Sequence, residues 1–534
     1  MPLPFSPSPA SRAGFASVRI PALFCLGMVC LALLGGCLFD SRYTVHDAGT
    51  QGVKSQDLDK VVGSEVAADT VVELFQPILD PDRYKPGQSS AVEISKPVNV
   101  KNQAGRVVRF GLSRQRFGSW SPELEFKWNY FLLQSNFLFF PGGLPDTSGL
   151  AEKTKTLYDK IHLEDLFTNY FDSAAAPGIW NKINTSTKPG AIGVMVKLND
   201  AGDTVFIQYV VPESPAGRAG IAKGMVVVAV NDSSVIGDSA IERFQRFSAG
   251  DSGSPVKFTV AAPAGAPVDH SLVRMPVAFP TVIIDSIQGV GYLSINGFTP
   301  NTLESKSTHT EFKDALNATK RFPVTILDLR DNGGGSLDVA LKMCDEILPA
   351  DTIIIRELQR RFDESMRVPI QSEVINSATA GGVGEKAADG SKRRYLLLGN
   401  GHSASASEIL LVALKEGAQA PLMGTRTYGK GVGQTVRNTP GKGLALVTFL
   451  KFTSASRLDY HKHGLEPDYV DSSGSDLLLT HAAEKAKTMT GPVAKMTAAA
   501  RRSMQRKAAA VEWNRRQAVR PGVSALEAVP EGAR

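Results

Sequence analysis

The sequence predicts a multi-domain α/β protein with a helical region at its N-terminal end. From Val290 onwards, short apolar strands alternate with helical patterns, which is typical of an α/β domain. One of these strands, at 324–329, runs straight into a glycine-rich loop and then a new helix. The chain of 534 residues, 43% hydrophobic and 21% charged, has ordinary globular composition and is long enough for several domains.

The first 37 residues are predicted to be an export signal. Arg12 and Arg19 precede an apolar run that ends at Cys37. The LGGC stretch at 34–37 resembles the bacterial lipobox, which implies a lipidated Cys37 as the mature N-terminus. A plain cleaved signal and an uncleaved anchor are the alternatives. The expected location is the cell envelope, lipid-anchored and facing the periplasm, and Leu38 slightly favours the outer membrane. Only Cys344 would then accompany Cys37, so no internal disulfide is expected.

Residues 38–188 are predicted to form a tether followed by a mostly helical region. Aromatic residues crowd the stretch 124–140, and 157–171 has a helical pattern. The aromatic stretch is expected to form core rather than a membrane-facing or substrate-gripping surface, because no uninterrupted apolar span of membrane length occurs there. The pattern over 66–122 predicts no particular element.

Residues 189–282 have the texture of a small, strand-rich domain. Strands are predicted at 192–196, 204–211 and 256–261, with helices near 214–221 and 239–247. The segment VPESPAGRAGIAKGMVVVAVND resembles the PDZ domains of bacterial proteases. This resemblance implies binding of an extended peptide tail by strand addition, with its terminal carboxylate held near Ile192, Gly193 and Val194. A glycine turn that merely starts a strand is the alternative for that loop.

Residues 283–475 contain the stretch around which the prediction of function is built. HSASASE at 402–408 follows a breaker cluster and opens an apolar helix, whose first amides favour negative charge. A serine there lies beside amides that would stabilise an oxyanion, and Glu408 shares a helix face with Ser405. Residue properties alone do not distinguish Ser403, Ser405 and Ser407. Capping and close packing are the alternative explanation for these small residues.

Lys430 lies in a glycine-rich segment, TYGKGVGQ, that follows this helix. A lysine can act as the base of a serine if burial lowers its pKa towards neutrality. Gln434 could then orient the ammonium or the substrate. A phosphate loop is disfavoured, since Gly431 occupies the position of the magnesium-binding hydroxyl and no helix follows.

The loop DLRDNGGGSL at 328–337 joins a buried strand to a helix and could bind an anion through backbone amides. A simple tight connection is the alternative. Together, SASASE, TYGKGVGQ, DLRDNGGG and the GLEPD stretch at 464–468 resemble the C-terminal processing, or tail-specific, serine proteases of the bacterial lipoprotein type. The resemblance covers about 150–475 and implies a crotonase/ClpP-like α/β protease core with an inserted or preceding PDZ domain.

The same resemblance implies the roles of the site residues. Ser405 would be the nucleophile and Lys430 its base, with Gln434 and Glu408 positioning this dyad. The amides of Gly334, or a neighbour, and Ala406 would form the oxyanion hole. The expected activity is that of an exported serine endopeptidase that processes or degrades envelope proteins through their free C-terminal tails, without a cofactor. An adaptor protein is a candidate partner, and an inactive PDZ scaffold is the rival function.

Composition excludes some further classes. The net charge of +6 is modest, and the sequence has no compact basic patch with interleaved aromatic residues. Nucleic acid is therefore not an expected partner. His461 and His463 lack a third ligand nearby in the sequence, so no metal is expected. Residues 476–534 form a predicted basic tail rich in Ala, Lys and Arg, either a solvated helix or disorder, or else a contact for anionic lipid.

Overall fold

The computed structural model describes residues 45–47, 71–96, 98–101, 107–139, 153–162, 165–199, 201–363, 368–379 and 382–489. All of them fall in one compact unit, residues 41–534. The predicted export signal with Cys37, and the predicted tail beyond residue 489, lie outside the described residues. No helix within the described ranges is long and apolar enough to cross a membrane.

Among the described residues before 187, a small sheet accompanies three helices, so this part of the chain is not mostly helical as predicted. Strands β2 and β5 run parallel, and β3 and β4 pair with β5. Leu74 and Leu112 are partners in this ladder and both are buried. The elements are β1 (Val45–Asp47), β2 (Val71–Leu79), β3 (Glu93–Ile94), β4 (Val98–Lys101), β5 (Val107–Phe117), α1 (Pro122–Asn136), α2 (Thr154–His162), β6 (Asn169–Phe171) and α3 (Ala176–Asn184).

The aromatic stretch does form core, as predicted. Helix α1 begins with Pro122 in its first turn and is capped by Ser121, whose side chain accepts a hydrogen bond from Leu124 N. Its inner face packs with α2 against a later strand, at Ala445 and Val447. The buried apolar residues of this cluster are Leu132, Leu133, Phe137, Leu157, Tyr158, Ile161, Ala445 and Val447.

Residues 187–278 contain a separate sheet, and the strands and helices predicted there correspond to β8, β9, α4, α5 and β12 of the structure. The order of this sheet is β13-β12-β10-β9-β8, with β11 paired to β10, so β8 is an edge strand. Helix α5 packs against its inner face through Phe244. The elements are β7 (Thr187–Ala191), β8 (Val194–Leu198), β9 (Val205–Val210), α4 (Pro215–Arg218), β10 (Val226–Val230), β11 (Ser233–Ser234), α5 (Ala240–Ser248), β12 (Pro255–Ala261), β13 (Pro267–Val273) and β14 (Met275–Ala278), the last paired with β7.

The α/β prediction is confirmed for the rest of the described chain. A six-stranded sheet has the order β15-β16-β17-β20-β21-β24 and is parallel from β16 to β24. The elements are β15 (Val282–Ile287), β16 (Val290–Ile295), α6 (Thr308–Ala318), β17 (Val324–Asp328), α7 (Leu337–Asp345), β18 (Ile353–Asp363), β19 (Val368–Ser377), β20 (Arg394–Gly399), α8 (Ala406–Ala413), β21 (Leu422–Gly424), β22 (Val432–Asn438), β23 (Leu444–Ser454), β24 (Tyr469–Val470) and α9 (Ser475–Thr488).

The two faces of this parallel sheet are covered by different helices. Leu327 packs towards α6, α7 and α8, whereas its neighbour Ile326 packs towards α9, and both are fully buried. A strand that is apolar on both faces needs cover on both sides. The structure therefore corrects the predicted tail boundary at 476, because α9 completes the core through Leu478, Ala482, Ala483 and Ala486.

A second, antiparallel sheet of order β1-β19-β18-β23-β22, with β6 paired to β23, lies on the far side of α8. Helix α8 packs against β18 and β23 of this sheet and against α7. All eight of its residues are buried. A helix that is surrounded by protein on every side holds its N-terminus rigidly, and that N-terminus carries Ser405.

A buried carboxylate in this second sheet gives a prediction about stability. Glu357 is fully buried on β18 and accepts hydrogen bonds of 2.6 Å from Gln359 Nε2 and from Asn376 Nδ2. Burial raises its pKa to about 7, although both hydrogen bonds oppose the shift. The folded protein therefore binds this proton more tightly than the unfolded chain. The resulting stabilisation is complete below the unfolded pKa of about 4.3 and is lost as the pH rises through about 7.

Replacing Glu357 by glutamine should remove this loss. The stability of Glu357→Gln is expected to lack the wild-type fall of about 1.4 kcal/mol for each unit of pKa shift as the pH rises to 7 and above, because an amide does not titrate in this range. Melting temperatures measured between pH 5 and pH 8 test this. The control Glu373→Gln, at a surface carboxylate paired with Arg457, should keep the wild-type pH dependence. An unchanged pH dependence in Glu357→Gln would contradict the prediction.

Candidate active site

The structure separates the three serines that the sequence left undistinguished. Ser403 Oγ donates to Leu329 O (2.7 Å), and Ser407 Oγ donates to Asn332 O (2.7 Å). Both of these side chains are fully buried, whereas Ser405 is half-buried. Ser403 and Ser407 thus tie the serine loop to the segment that follows β17. Ser405 is the member of the three placed to meet a substrate.

Ser405 has a strained backbone at the start of α8, with φ 58° and ψ −117°. A positive φ costs free energy at a residue other than glycine, and such conformations cluster at functional sites. The strained turn places Ser405 immediately before Ala406, the first residue of α8. The Ala406 N–H occupies a helix position without an intrahelical acceptor, where a negative charge is favoured.

Gly334 lies against this turn. It has φ +99°, and a Cβ built on it would lie 2.6 Å from Ala404 O and 2.9 Å from both Ala406 N and Ser405 Cβ. Only glycine therefore allows this approach of the two loops. The structure brings Gly334 and Ala406 together beside Ser405.

Asn332 fastens the glycine loop to its surroundings, a role that sequence reasoning missed. Its Nδ2 donates to Ile295 O (2.8 Å), its backbone carbonyl accepts from Ala404 N (3.0 Å), and its Oδ1 accepts from Gly334 N (2.9 Å). The side chain is almost fully buried. In this conformation, the Gly334 amide is thus occupied by a side chain of its own loop.

Lys430 lies in the loop between β21 and β22. Its Nζ is 4.6 Å from the ring centroid of Phe167. This side-chain nitrogen makes no hydrogen bond or ion pair within the described residues. Burial lowers the pKa of Lys430, while the carboxylates of Asp165 and Glu408 oppose that shift. A strand follows this loop instead of a helix, which agrees with the rejection of a phosphate loop. Lys430 has the environment that a lysine base needs.

Glu408 joins the serine loop to the lysine loop. Its Oε2 accepts from Ser405 N (2.9 Å) and Lys430 N (2.7 Å). Its Oε1 accepts from Gly429 N (2.7 Å) and Thr427 Oγ1 (2.6 Å). The side chain is fully buried, and burial raises its pKa although these hydrogen bonds oppose the shift. Glu408 therefore sets the backbone positions of Ser405 and Lys430 instead of contacting either functional atom.

Gln434 is placed on β22, four residues after Lys430. Its Nε2 donates to Thr448 Oγ1 (3.1 Å) on the neighbouring strand β23. Thr448 N in turn donates to Thr168 Oγ1 (3.0 Å). The amide of Gln434 is thus held by the sheet and connected to the N-terminal region.

The segment at 165–168, whose Phe167 contacts Lys430, was not indicated by the sequence. The predicted helix over 157–171 ends at His162, and Asp165 begins a turn that leads into β6. Asp165 is buried, and its carboxylate accepts from Thr168 Oγ1 (2.5 Å) and Phe167 N (3.2 Å). No spacing relative to Lys430 could have revealed this segment, because it lies more than 250 positions away.

The proposed peptide-binding residues Ile192, Gly193 and Val194 are at the start of the edge strand β8. Gly193 has φ +92°, and a Cβ there would lie 2.0 Å from both Ser214 Cβ and Oγ. Glycine is thus required at this turn. No group of three or more His, Cys, Asp or Glu side chains in the described part of the chain could hold a metal ion.

Residues 289–471 match the sequence profile of Peptidase family S41. The chain is 29% identical over 300 residues to the carboxyl-terminal-processing protease of Picosynechococcus sp., covering 54% of this chain and 66% of that protein. It is 27% identical over 279 residues to a probable CtpA-like serine protease of Staphylococcus haemolyticus, covering 52% of each chain. The chain thus spans about half to two thirds of the length of these relatives.

A solved structure named photosystem II D1 C-terminal processing protease matches 69% of this chain and 98% of its own, with 21% identity and a TM-score of 0.41. The profile match contains the glycine loop, Ser405, Glu408, Lys430 and Gln434. Residues 289–471 are therefore similar to peptidase family S41.

Proposed function

We propose that this chain is an exported serine endopeptidase in which Ser405 and Lys430 form the catalytic dyad. One observation carries the proposal: the single carboxylate of Glu408 accepts the backbone N–H groups of both residues. The nucleophile and the base are thereby held by one buried group. The peptidase relatives and the profile match over 289–471 support the same activity.

In the proposed mechanism, Ser405 Oγ attacks the scissile carbonyl carbon while neutral Lys430 Nζ takes the hydroxyl proton. The lysine then returns that proton to the leaving amine, and water releases the acyl group by the same route. Burial of Lys430 favours its neutral form, which is the form that can act as a base. Cleavage should therefore rise with pH through the lowered pKa of Lys430.

The oxyanion would be held by the N–H groups of Ala406 and Gly334. Because the Gly334 N–H donates to Asn332 Oδ1 here, its use requires the glycine peptide to turn towards Ser405. Gly334 and Gly335, with φ +99° and +149°, are the residue type that can make such a change at low cost. We propose this turn as part of substrate binding.

The domain at 187–278 is proposed to be a PDZ domain that precedes a crotonase/ClpP-like protease core. Two features support it. The strand β8 is at the edge of its sheet, so its outer side is available for an added peptide strand. Helix α5 lies over that sheet, and Val194 and Phe244 are in the core it covers. The Gly193 turn would hold the terminal carboxylate of a substrate tail.

Amidating the C-terminus of a peptide substrate is expected to slow its cleavage by roughly tenfold to a hundredfold. The lost interaction, a hydrogen bond to a charged group, contributes about 1.5–3 kcal/mol. The test compares kcat/KM for free and amidated peptides with wild type and Gly193→Ala. Gly193→Ala should lose the discrimination, because its Cβ would overlap Ser214.

The matched control is Gly202→Ala, which also replaces a glycine of positive φ but has open space around it and should keep the discrimination. Equal cleavage of both peptides by the wild type would overturn tail recognition. Cleavage of neither would overturn the peptidase proposal and favour an inactive scaffold that recruits exported proteins.

We also propose that the protein is lipid-anchored in the cell envelope through Cys37. The LGGC stretch at 34–37 supports this, and it lies outside the described residues. Polypeptides with free tails are the proposed substrates, with an adaptor protein as a candidate partner. Mass spectrometry of the mature N-terminus tests the anchor, and an unmodified Cys37 would contradict it.

A further inference from the structure

Lys430 is contacted by a segment that lies outside the profile match, residues 165–168. The ring of Phe167 lies over Lys430 Nζ, with its centroid at 4.6 Å. Asp165, which is only 4% exposed, is two residues earlier and accepts a hydrogen bond from Phe167 N (3.2 Å), and its charge acts on Lys430. A carboxylate that is buried beside a buried ammonium interacts with it far more strongly than a surface pair does. The segment therefore brings a charge to the active site.

The carboxylate of Asp165 is fixed by its own hydrogen bonds. Thr168 Oγ1 donates to Oδ2 (2.5 Å) and Phe167 N donates to Oδ1 (3.2 Å). Thr168 Oγ1 also accepts from Thr448 N (3.0 Å) on β23, next to the strand that carries Gln434. Asp165 is thus anchored to the same sheet that positions the lysine loop.

Other charged and titratable groups around Lys430 do not replace Asp165. Glu408, on α8, uses both oxygens to accept four hydrogen bonds from the two catalytic loops. Tyr460 and His461 lie in the loop between β23 and β24. Burial raises the pKa of Tyr460 and lowers that of His461, so both side chains are neutral near pH 7. Asp165 is the anionic group that approaches Lys430 from the N-terminal region.

We propose that Asp165 is a positioning residue of this active site, whose charge stabilises the ammonium formed on Lys430 when it takes the proton of Ser405. This inference rests on the proposed dyad. The proton moves from Ser405 Oγ to Lys430 Nζ and later to the leaving amine, so the ammonium exists only in the middle of each half-reaction. A fixed negative charge lowers the energy of that state without contacting the substrate.

The expected signature is therefore a fall in kcat with little change in KM. Asp165→Asn keeps the shape of the side chain but removes its charge, and kcat should fall on the order of tenfold to a hundredfold. Asp165→Glu restores the charge and should recover part of the loss. The matched control is Asp172→Asn, since Asp172 is a nearby carboxylate that accepts from Ala174 N and Ala175 N (3.0 Å each) at the start of α3.

A second readout does not require cleavage. In Ser405→Ala protein, the reaction of Lys430 with acetic anhydride is followed by mass spectrometry as a function of pH, which gives the pKa of that lysine directly. Removing the carboxylate of Asp165 should let Lys430 lose its proton at lower pH, because that charge favours the ammonium. Asp172→Asn should titrate like the parent protein.

The two measurements separate the possible failures. An unchanged titration of Lys430 in Asp165→Asn would overturn the role of Asp165, whatever the enzyme cleaves. So would equal losses of kcat in Asp165→Asn and Asp165→Glu, because charge would then be irrelevant. If the titration shifts but no peptide is cleaved by the wild type, the action of Asp165 on Lys430 stands and the proposed peptidase function fails.

Discussion

Ser405→Ala is expected to abolish peptide cleavage, and Lys430→Ala is expected to do the same. Each variant removes one half of a proton-transfer pair, so kcat should fall by roughly 10⁴-fold or more. Because the two residues act as a unit, the double variant should be hardly slower than either single variant. The measurement is kcat and KM on one peptide substrate for all three proteins.

Folding controls make this result specific. Lys430→Met should melt at no lower temperature than the wild type, because it removes an ammonium whose charged form is disfavoured by burial. Lys462→Ala is the matched activity control. The side chain of Lys462 is exposed, and its backbone N–H donates to Gly429 O (2.8 Å), next to Lys430. Substantial cleavage by Ser405→Ala would show that another residue is the nucleophile.

Glu408→Gln is expected to be nearly as damaging as Glu408→Ala. The carboxylate accepts four hydrogen bonds, two at each oxygen. A glutamine keeps only one acceptor oxygen, and its NH₂ group would face two donors. Either variant leaves buried N–H groups without an acceptor, which should destabilise the fold by about 3–5 kcal/mol. Loss of alignment between Ser405 and Lys430 should lower kcat/KM on the order of 10³-fold.

The matched control for this prediction is Glu416, in the helical turn Leu414–Ala418 that directly follows α8. Glu416 accepts from Ser454 Oγ (2.6 Å), Ser456 N (2.9 Å) and Ser456 Oγ (2.7 Å), but it touches neither catalytic loop. Glu416→Gln should therefore lower the melting temperature while leaving kcat/KM close to that of the wild type. If Glu408→Gln cleaved peptides at the wild-type rate, the proposed role of the carboxylate would be wrong.

Local sequence predicted the elements that depend on neighbours in the chain. The strand and helix pattern over 192–261 matches β8 to β12, because alternation and turn residues act over a few positions. The α/β character of the part after Val290 was visible because its short apolar strands alternate with helical patterns. By contrast, the sheet formed by β2 and β5 was not predicted, since its parallel pairing joins residues about 38 positions apart, such as Leu74 and Leu112.

The sequence by itself determined the chemistry of the site: a helix start with Ser405 and Glu408, a glycine loop at Gly334, and Lys430 between glycines. Tertiary structure alone decided how these groups are used. It assigned Ser403 and Ser407 to carbonyls more than 70 positions away, gave Glu408 its four donors, and placed Phe167 at the lysine. The physical reason is that hydrogen-bond partners and desolvation are set by which surfaces pack together, and neither is encoded in spacing along the chain.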